Sequence, residues 1–120
     1  MMPTLFVATI VSIVVNAFIA VADYAKAGFV LKNSAEVLVP ASVLPYLATL
    51  KLVGAVGLVV GVTAVPWLGV AAGVGLVLFF IGAVAAHVRA RVFYNIAFPG
   101  IYMLLAVAST AYTVQLAVQA

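Results

Sequence analysis

Residues 43–87 read VLPYLATLKLVGAVGLVVGVTAVPWLGVAAGVGLVLFFIGAVAAH, an apolar run whose one ionised side chain is Lys51. A single bilayer crossing takes about 20 apolar residues, so this run is long enough for two. Val65 and Pro66 divide it. Proline has no N–H to offer a helix interior and suits a first turn, so Pro66 opens a new helix. The stretch predicts spanning helices over about residues 43–64 and 66–88, and so short a connection forces them into an antiparallel hairpin. Pro45 falls in the opening turn of the first of these, where its missing N–H costs little.

Outward from the hairpin lie two further runs of the same kind. One covers about residues 3–24 and meets its first charge at Asp23; the other covers about 96–118, with Pro99 near its start. The expected fold is an all-α membrane protein, an antiparallel bundle of four transmembrane helices forming a single domain over residues 1–120. Composition agrees: 69% of residues are hydrophobic and 6% charged, against about 25% charged in a soluble domain. A small fold buries only about two-thirds of its unfolded surface, so the remaining hydrocarbon must face lipid. No basic residue precedes the first run and no clean small-x-small cleavage pattern follows it, so it is read as a retained helix rather than a secretory signal.

The chain has no cysteine, which removes disulfides, thiolate chemistry, iron–sulfur clusters and Cys-x-x-Cys quinone reduction. A lone histidine, His87, cannot form a bis-histidine haem within one chain. No nucleophile–base pair, metal cluster or phosphate-cradling loop stands out, so no catalytic or metal-ligating residue and no cofactor within the chain is assigned. The few basic residues fit membrane topology better than nucleic acid. Lys26 and Lys32 lie in the first connection, Lys51 early in the second helix, and Arg89 and Arg91 after the third. By the positive-inside rule these residues mark the cytoplasmic side and contact lipid headgroups, which places both termini outside. The first connection, about residues 25–42, mixes Phe29, Val30, Leu31, Val37, Leu38 and Val39 with Lys26, Lys32 and Glu36. It reads equally as a headgroup-level segment with a short helix or as a solvated loop.

Polar residues inside spans tend to face the bundle interior. Thr9, Ser12, Asn16 and Asp23 fall near one face of the first helix, and Tyr102, Ser109 and Thr113 near one face of the fourth. The hydroxyls are read as glue between helices. Gly57 with Gly61, and Gly69 with Gly73, form small-xxx-small pairs that permit close packing, within the chain or between chains. Asp23, Lys51 and His87 belong to the same side of the membrane. Lys51, about two turns inside its helix, needs an anion, and Asp23 is the nearest candidate partner, with Glu36 the other; Asp23 in turn has Lys26 as a second suitor. His87 and Arg91, four apart, are expected on one helix face. The cluster reads either as a structural ion pair with a histidine cap or as the floor of a site for an amphipathic ligand, with Asn16 and Tyr102 as further contacts.

The segments LKLVGAVGLVVG (residues 50–61) and GVAAGVGLVLFFIGAVAAHVRAR (residues 69–91) resemble the DoxX-like proteins, small bacterial four-helix membrane proteins. Those typically carry a lysine before a glycine-rich second helix and an Ala-x-x-x-His-x-Arg ending on the third. Lys51, Gly54, Gly57, Ala83, His87 and Arg89 occupy the matching positions, and ADYAKAGF and VPASVLP also suit the first connection. The resemblance implies the bacterial cytoplasmic (inner) membrane and a link to redox or stress-related membrane assemblies, one of them a thiosulfate:quinone oxidoreductase. It supplies no catalytic signature.

Three functions compete on this reading. The first is a non-catalytic accessory or interaction subunit of a membrane assembly, quinone-linked by the resemblance, with a homo-oligomer or a membrane protein as partner. The second is a binder of a quinone, isoprenoid or other lipid within the bundle. The third, a small multidrug-type transporter, wants a carboxylate near the middle of the first helix, where Asn16 stands instead.

Overall fold

The computed structural model describes residues 2–119. Four long helices, α1 (Met2–Tyr24), α3 (Leu44–Thr63), α4 (Pro66–Ala90) and α5 (Ala97–Gln119), pack as a bundle, and a short helix α2 (Gly28–Glu36) lies in the first connection. A 3-10 turn at Ala41–Val43 leads into α3. All four long helices are apolar and long enough to cross a membrane. The molecule measures 44 Å along its long axis, close to the roughly 40–45 Å of a bilayer with its headgroups.

Around the bundle the order of neighbours is α1, α3, α4, α5 and back to α1, with α3 and α5 touching only slightly across the diagonal. Adjacent helices run antiparallel. The first connection and the α4–α5 turn therefore share one end, which carries Lys26, Lys32, Arg89 and Arg91, all exposed.

Glycine sets the closeness of the helices, within this one chain. A Cβ at Gly61 would run into the Gly69 backbone, and one at Gly73 would run into Thr110. Gly57 lies against Ala72, Gly54 against Leu76 and Gly69 against Thr113, each closer than a side chain would permit. These contacts join α3 to α4 and α4 to α5, where van der Waals packing replaces the hydrophobic drive that lipid removes. Leu58, Leu76, Phe80 and Ala106 fill the centre, with Ile13 of α1 against them.

The two polar stripes do face inward: Thr9, Ser12, Asn16, Ser109 and Thr113 are fully buried. They do not glue helices by hydrogen bonds, however. Thr9 donates to the Leu5 carbonyl at 2.8 Å, Ser109 to Leu105 at 2.7 Å and Thr113 to Ser109 at 2.9 Å. Each hydroxyl satisfies itself on a carbonyl of its own helix, an option open to Ser and Thr. The stripes join helices by being small rather than by being polar.

Three helices end alike at the charged end, or just beside it. After α1, Lys26 N–H bonds to the Asp23 carbonyl and Ala27 N–H to that of Ala22. After α4, Arg91 bonds to Val88 and Val92 to His87; after α2, Leu38 bonds to Ala35 and Val39 to Ser34. This is the Schellman pattern, which requires a left-handed residue just past the helix. That residue is Lys26 (φ 51°), Arg91 (φ 57°) and Leu38 (φ 64°), none of them glycine. One expectation fails as a result. Arg91 has left the helix, so it does not share a helical face with His87.

Candidate functional site

Asp23 closes α1 and Lys51 sits seven residues into α3, so antiparallel packing brings them level. Lys51 Nζ donates to Asp23 Oδ2 at 2.7 Å, with the side chains 11% and 4% exposed respectively. Among the described residues this is the one salt bridge; neither Lys26 nor Glu36 takes part. The ammonium also lies 5.3 Å from the centre of the Phe79 ring, an arrangement the ring quadrupole favours. One residue beyond Asp23, the Tyr24 hydroxyl lies 2.6 Å from Thr49 Oγ1. Thr49 spends its proton on the Pro45 carbonyl at 2.8 Å, so Tyr24 is the donor. Two polar ties thus fasten α1 to α3 at this end.

On α4 the buried stripe runs Gly69, Gly73, Leu76, Phe80 and His87. His87 is 4% exposed, and its Nδ1 lies 2.9 Å from the Ala83 carbonyl oxygen. Its Nε2 is buried with no hydrogen-bond partner. Tyr102, half-buried on α5, packs its ring against Phe80 with centroids 5.3 Å apart. Asn16 lies about 10 Å deeper than Asp23 along α1. Its amide donates to the Ser12 carbonyl at 2.8 Å, and its Oδ1 is buried without a donor. The structure thus joins Asp23 to Lys51 and places Phe79, Phe80 and Tyr102 alongside, while Asn16 stands apart.

Four residues that the sequence gave no reason to single out as a set complete this end. Tyr94, in the α4–α5 turn, donates to Glu36 at the end of α2, and Asn95 donates to Asn33 Oδ1 at 3.0 Å. Acceptance by the Glu36 carboxylate holds the Tyr94 phenol above its ordinary range, with slight burial and the carboxylate's charge adding to the effect. On its other side α2 rests Val30 against Ala22 and Leu44. The short helix is therefore strapped across the end of the bundle. A Phe-Tyr-Asn turn opposite a polar helix was the available signal, but partners 58 and 62 residues apart leave no periodic trace.

Two open grooves mark the surface. One runs between α4 and α5 and is lined by apolar residues with Thr110 and Gln115; the other lies beside α2 and the 3-10 turn. Neither is lined by Asp23, Lys51 or His87.

The model of the DoxX-like family matches residues 7–109, which takes in α1 through most of α5 and every residue of this cluster. The chain belongs to the DoxX-like family. No curated protein and no solved structure matches it. Among the positions by which the chain resembles DoxX-like proteins, Lys51 makes the ion pair, Gly54 and Gly57 make close helix contacts, and Ala83 supplies the carbonyl that orients His87. Arg89 is exposed.

Proposed function

We propose that this DoxX-like protein is a non-catalytic subunit that docks a partner of a membrane assembly at its charged end. The strapping of α2 onto the α4–α5 turn carries the reading. Among the described residues, only the connections project beyond the spans, and the larger is held in one shape by Tyr94–Glu36 and Asn95–Asn33. A surface ordered beforehand loses less freedom on association. It also carries Lys26, Lys32, Arg89 and Arg91 unengaged by any salt bridge, which suits an acidic partner surface or anionic headgroups. The positive-inside rule makes this the cytoplasmic face of a bacterial inner membrane, with both termini outside. A quinone-linked redox setting follows from the family resemblance, and any thiol or redox step belongs to the partner, because this chain has no cysteine.

Native mass spectrometry of gently extracted membranes tests the proposal. A larger subunit should accompany the protein, and the double variant Asn33→Ala, Glu36→Gln should lose it while the bundle stays folded. Extraction as a lone chain, or unchanged association in the double variant, would refute the proposal.

A further inference from the structure

The buried face of α2 is Val30 and Ser34, while Phe29, Leu31, Lys32 and Ala35 are exposed. Leu31 and Ala35, with Leu38, Val39 and Pro40 beyond the helix, line an open groove of about 400 Å³. Its one side-chain hydroxyl is already spent, because Ser34 donates to the Val39 carbonyl. The groove therefore offers hydrocarbon contact and no free side-chain hydrogen bond. Leu38 joins it under strain. Its backbone is left-handed (φ 64°), where glycine is the usual residue, and its side chain is still 67% exposed. No packing inside the bundle offsets that strain, so the compensation is sought outside the chain.

A cation stands beside this groove. Lys32 and Ala35 are three apart on α2, which sets their Cβ atoms about 5–6 Å from each other. Lys32 is exposed and makes no salt bridge among the described residues. Glu36, four residues on, is turned to Tyr94, and the chain's other acid, Asp23, is held by Lys51. The long axis of 44 Å is that of a bilayer with its headgroups, about 40–45 Å, so α2, lying across one end, sits in the headgroup layer.

We propose that α2 and the turn after it hold an anionic phospholipid, with one acyl chain in the groove against Leu38 and the phosphate on Lys32. Lysine meets a phosphate as a point charge. A zwitterionic lipid with the same chains fills the groove equally well, but its own ammonium opposes Lys32. The site uses one edge of α2 and leaves Lys26, Arg89 and Arg91 to the docking role proposed above, and its test involves no partner protein.

The full-length protein, stripped of lipid in a mild detergent, is titrated separately with palmitoyl-oleoyl phosphatidylglycerol, with phosphatidylcholine of the same chains and with glycerol phosphate. Native mass spectrometry reads what stays bound. A single phosphatidylglycerol should be retained, and phosphatidylcholine should bind about fivefold more weakly, as one basic residue near an anionic surface implies. Glycerol phosphate, which has no chains, should not be retained. Lys32→Gln should abolish the difference between the two lipids. Leu38→Gly should weaken retention of both, although glycine suits that backbone and circular dichroism should show the bundle intact. Lys26→Gln, before the start of α2, should change neither. Equal retention of the two lipids by the unaltered protein, or a loss in Lys26→Gln as large as in Lys32→Gln, overturns the proposal and leaves only diffuse surface charge. Undiminished retention in Leu38→Gly, or retention of glycerol phosphate, overturns the acyl seat. Absence of any bound lipid overturns the whole and leaves the groove to a protein segment.

Discussion

Replacing Lys51 with methionine should cost far more than replacing Asp23 with asparagine, and the two changes together should cost less than their sum. The Asp23 side chain is 4% exposed and its partner lies 2.7 Å away. Lys51→Met leaves that carboxylate buried without a counter-charge, a situation that costs about 3–5 kcal/mol. Asp23→Asn leaves a lysine whose side chain is 11% exposed and whose four-carbon stem can lift the ammonium to the headgroups. Its cost is then nearer that of a lost charged hydrogen bond, about 1.5–3 kcal/mol. The double variant holds no buried charge and should fall close to the wild type, because neutral replacement of a buried pair is often nearly free. Tyr24 and Thr49 still join α1 to α3, so all four proteins should fold. Reversible unfolding in mixed micelles, titrated with SDS, gives the four stabilities. Additivity within about 0.5 kcal/mol would show no coupling between the residues. An Asp23→Asn variant less stable than Lys51→Met would refute the asymmetry.

A glycine at a helix contact and one facing outward should answer differently to alanine. Gly61→Ala forces a methyl into the Gly69 backbone and should cost about 1–3 kcal/mol, whereas Gly75 has open space around it and Gly75→Ala should gain up to about 1 kcal/mol from helix propensity; SDS unfolding measures both. Leu38→Gly relieves a left-handed backbone (φ 64°) and should stabilise the chain by about 1 kcal/mol or slightly less, read as a raised thermal midpoint in detergent. The Tyr94 phenol is raised by Glu36, so it should ionise above the usual value of about 10. A raised acid binds its proton more tightly when folded, so the stabilisation of the strap is complete below that usual value and is lost as pH climbs through the raised one. The ultraviolet difference between wild type and Tyr94→Phe follows the titration, and Glu36→Gln should lower it. Since the chain has no cysteine of its own, Lys32→Cys and Gln119→Cys can each be labelled with an impermeant maleimide. Lys32→Cys should react only after the cytoplasmic side is opened, and Gln119→Cys should react in intact cells; the reverse result refutes the orientation.

The fold was legible because lipid imposes one simple demand, length without charge, and Pro45, Pro66 and Pro99 punctuate the runs that meet it. The ion pair was half legible. Asp23 and Lys51 stood out as charges near span ends, but choosing Lys51 over Lys26 needed the antiparallel register. Which way the glycines pack was not legible, since both faces of a span are apolar and amphipathic contrast fades. Gly75 and Gly73 look alike in sequence, yet Gly73 is buried against Thr110 and Gly75 faces outward. The helix ends were illegible for a different reason. Lys26, Leu38 and Arg91 fill a position where glycine is the usual signal, and without that signal His87 and Arg91 appeared to share a face. The strap of Tyr94 and Asn95 on α2 depends on tertiary placement alone.

The Asp23–Lys51 pair also bears on how the chain enters its membrane. Synthesis delivers α1 before α3, with Asp23 at its trailing edge and Lys51 28 residues behind. Each helix alone brings into the bilayer boundary a charge that disfavours insertion, by an amount that falls from about 2.5–3.5 kcal/mol at mid-membrane toward the ends. If α3 meets α1 while leaving the translocon, the two charges enter as a neutral couple and neither helix carries the full penalty. Asp23 then works as an intramolecular chaperone for the second span. Its loss should appear first as α3 left uninserted during synthesis, before any defect in the finished bundle.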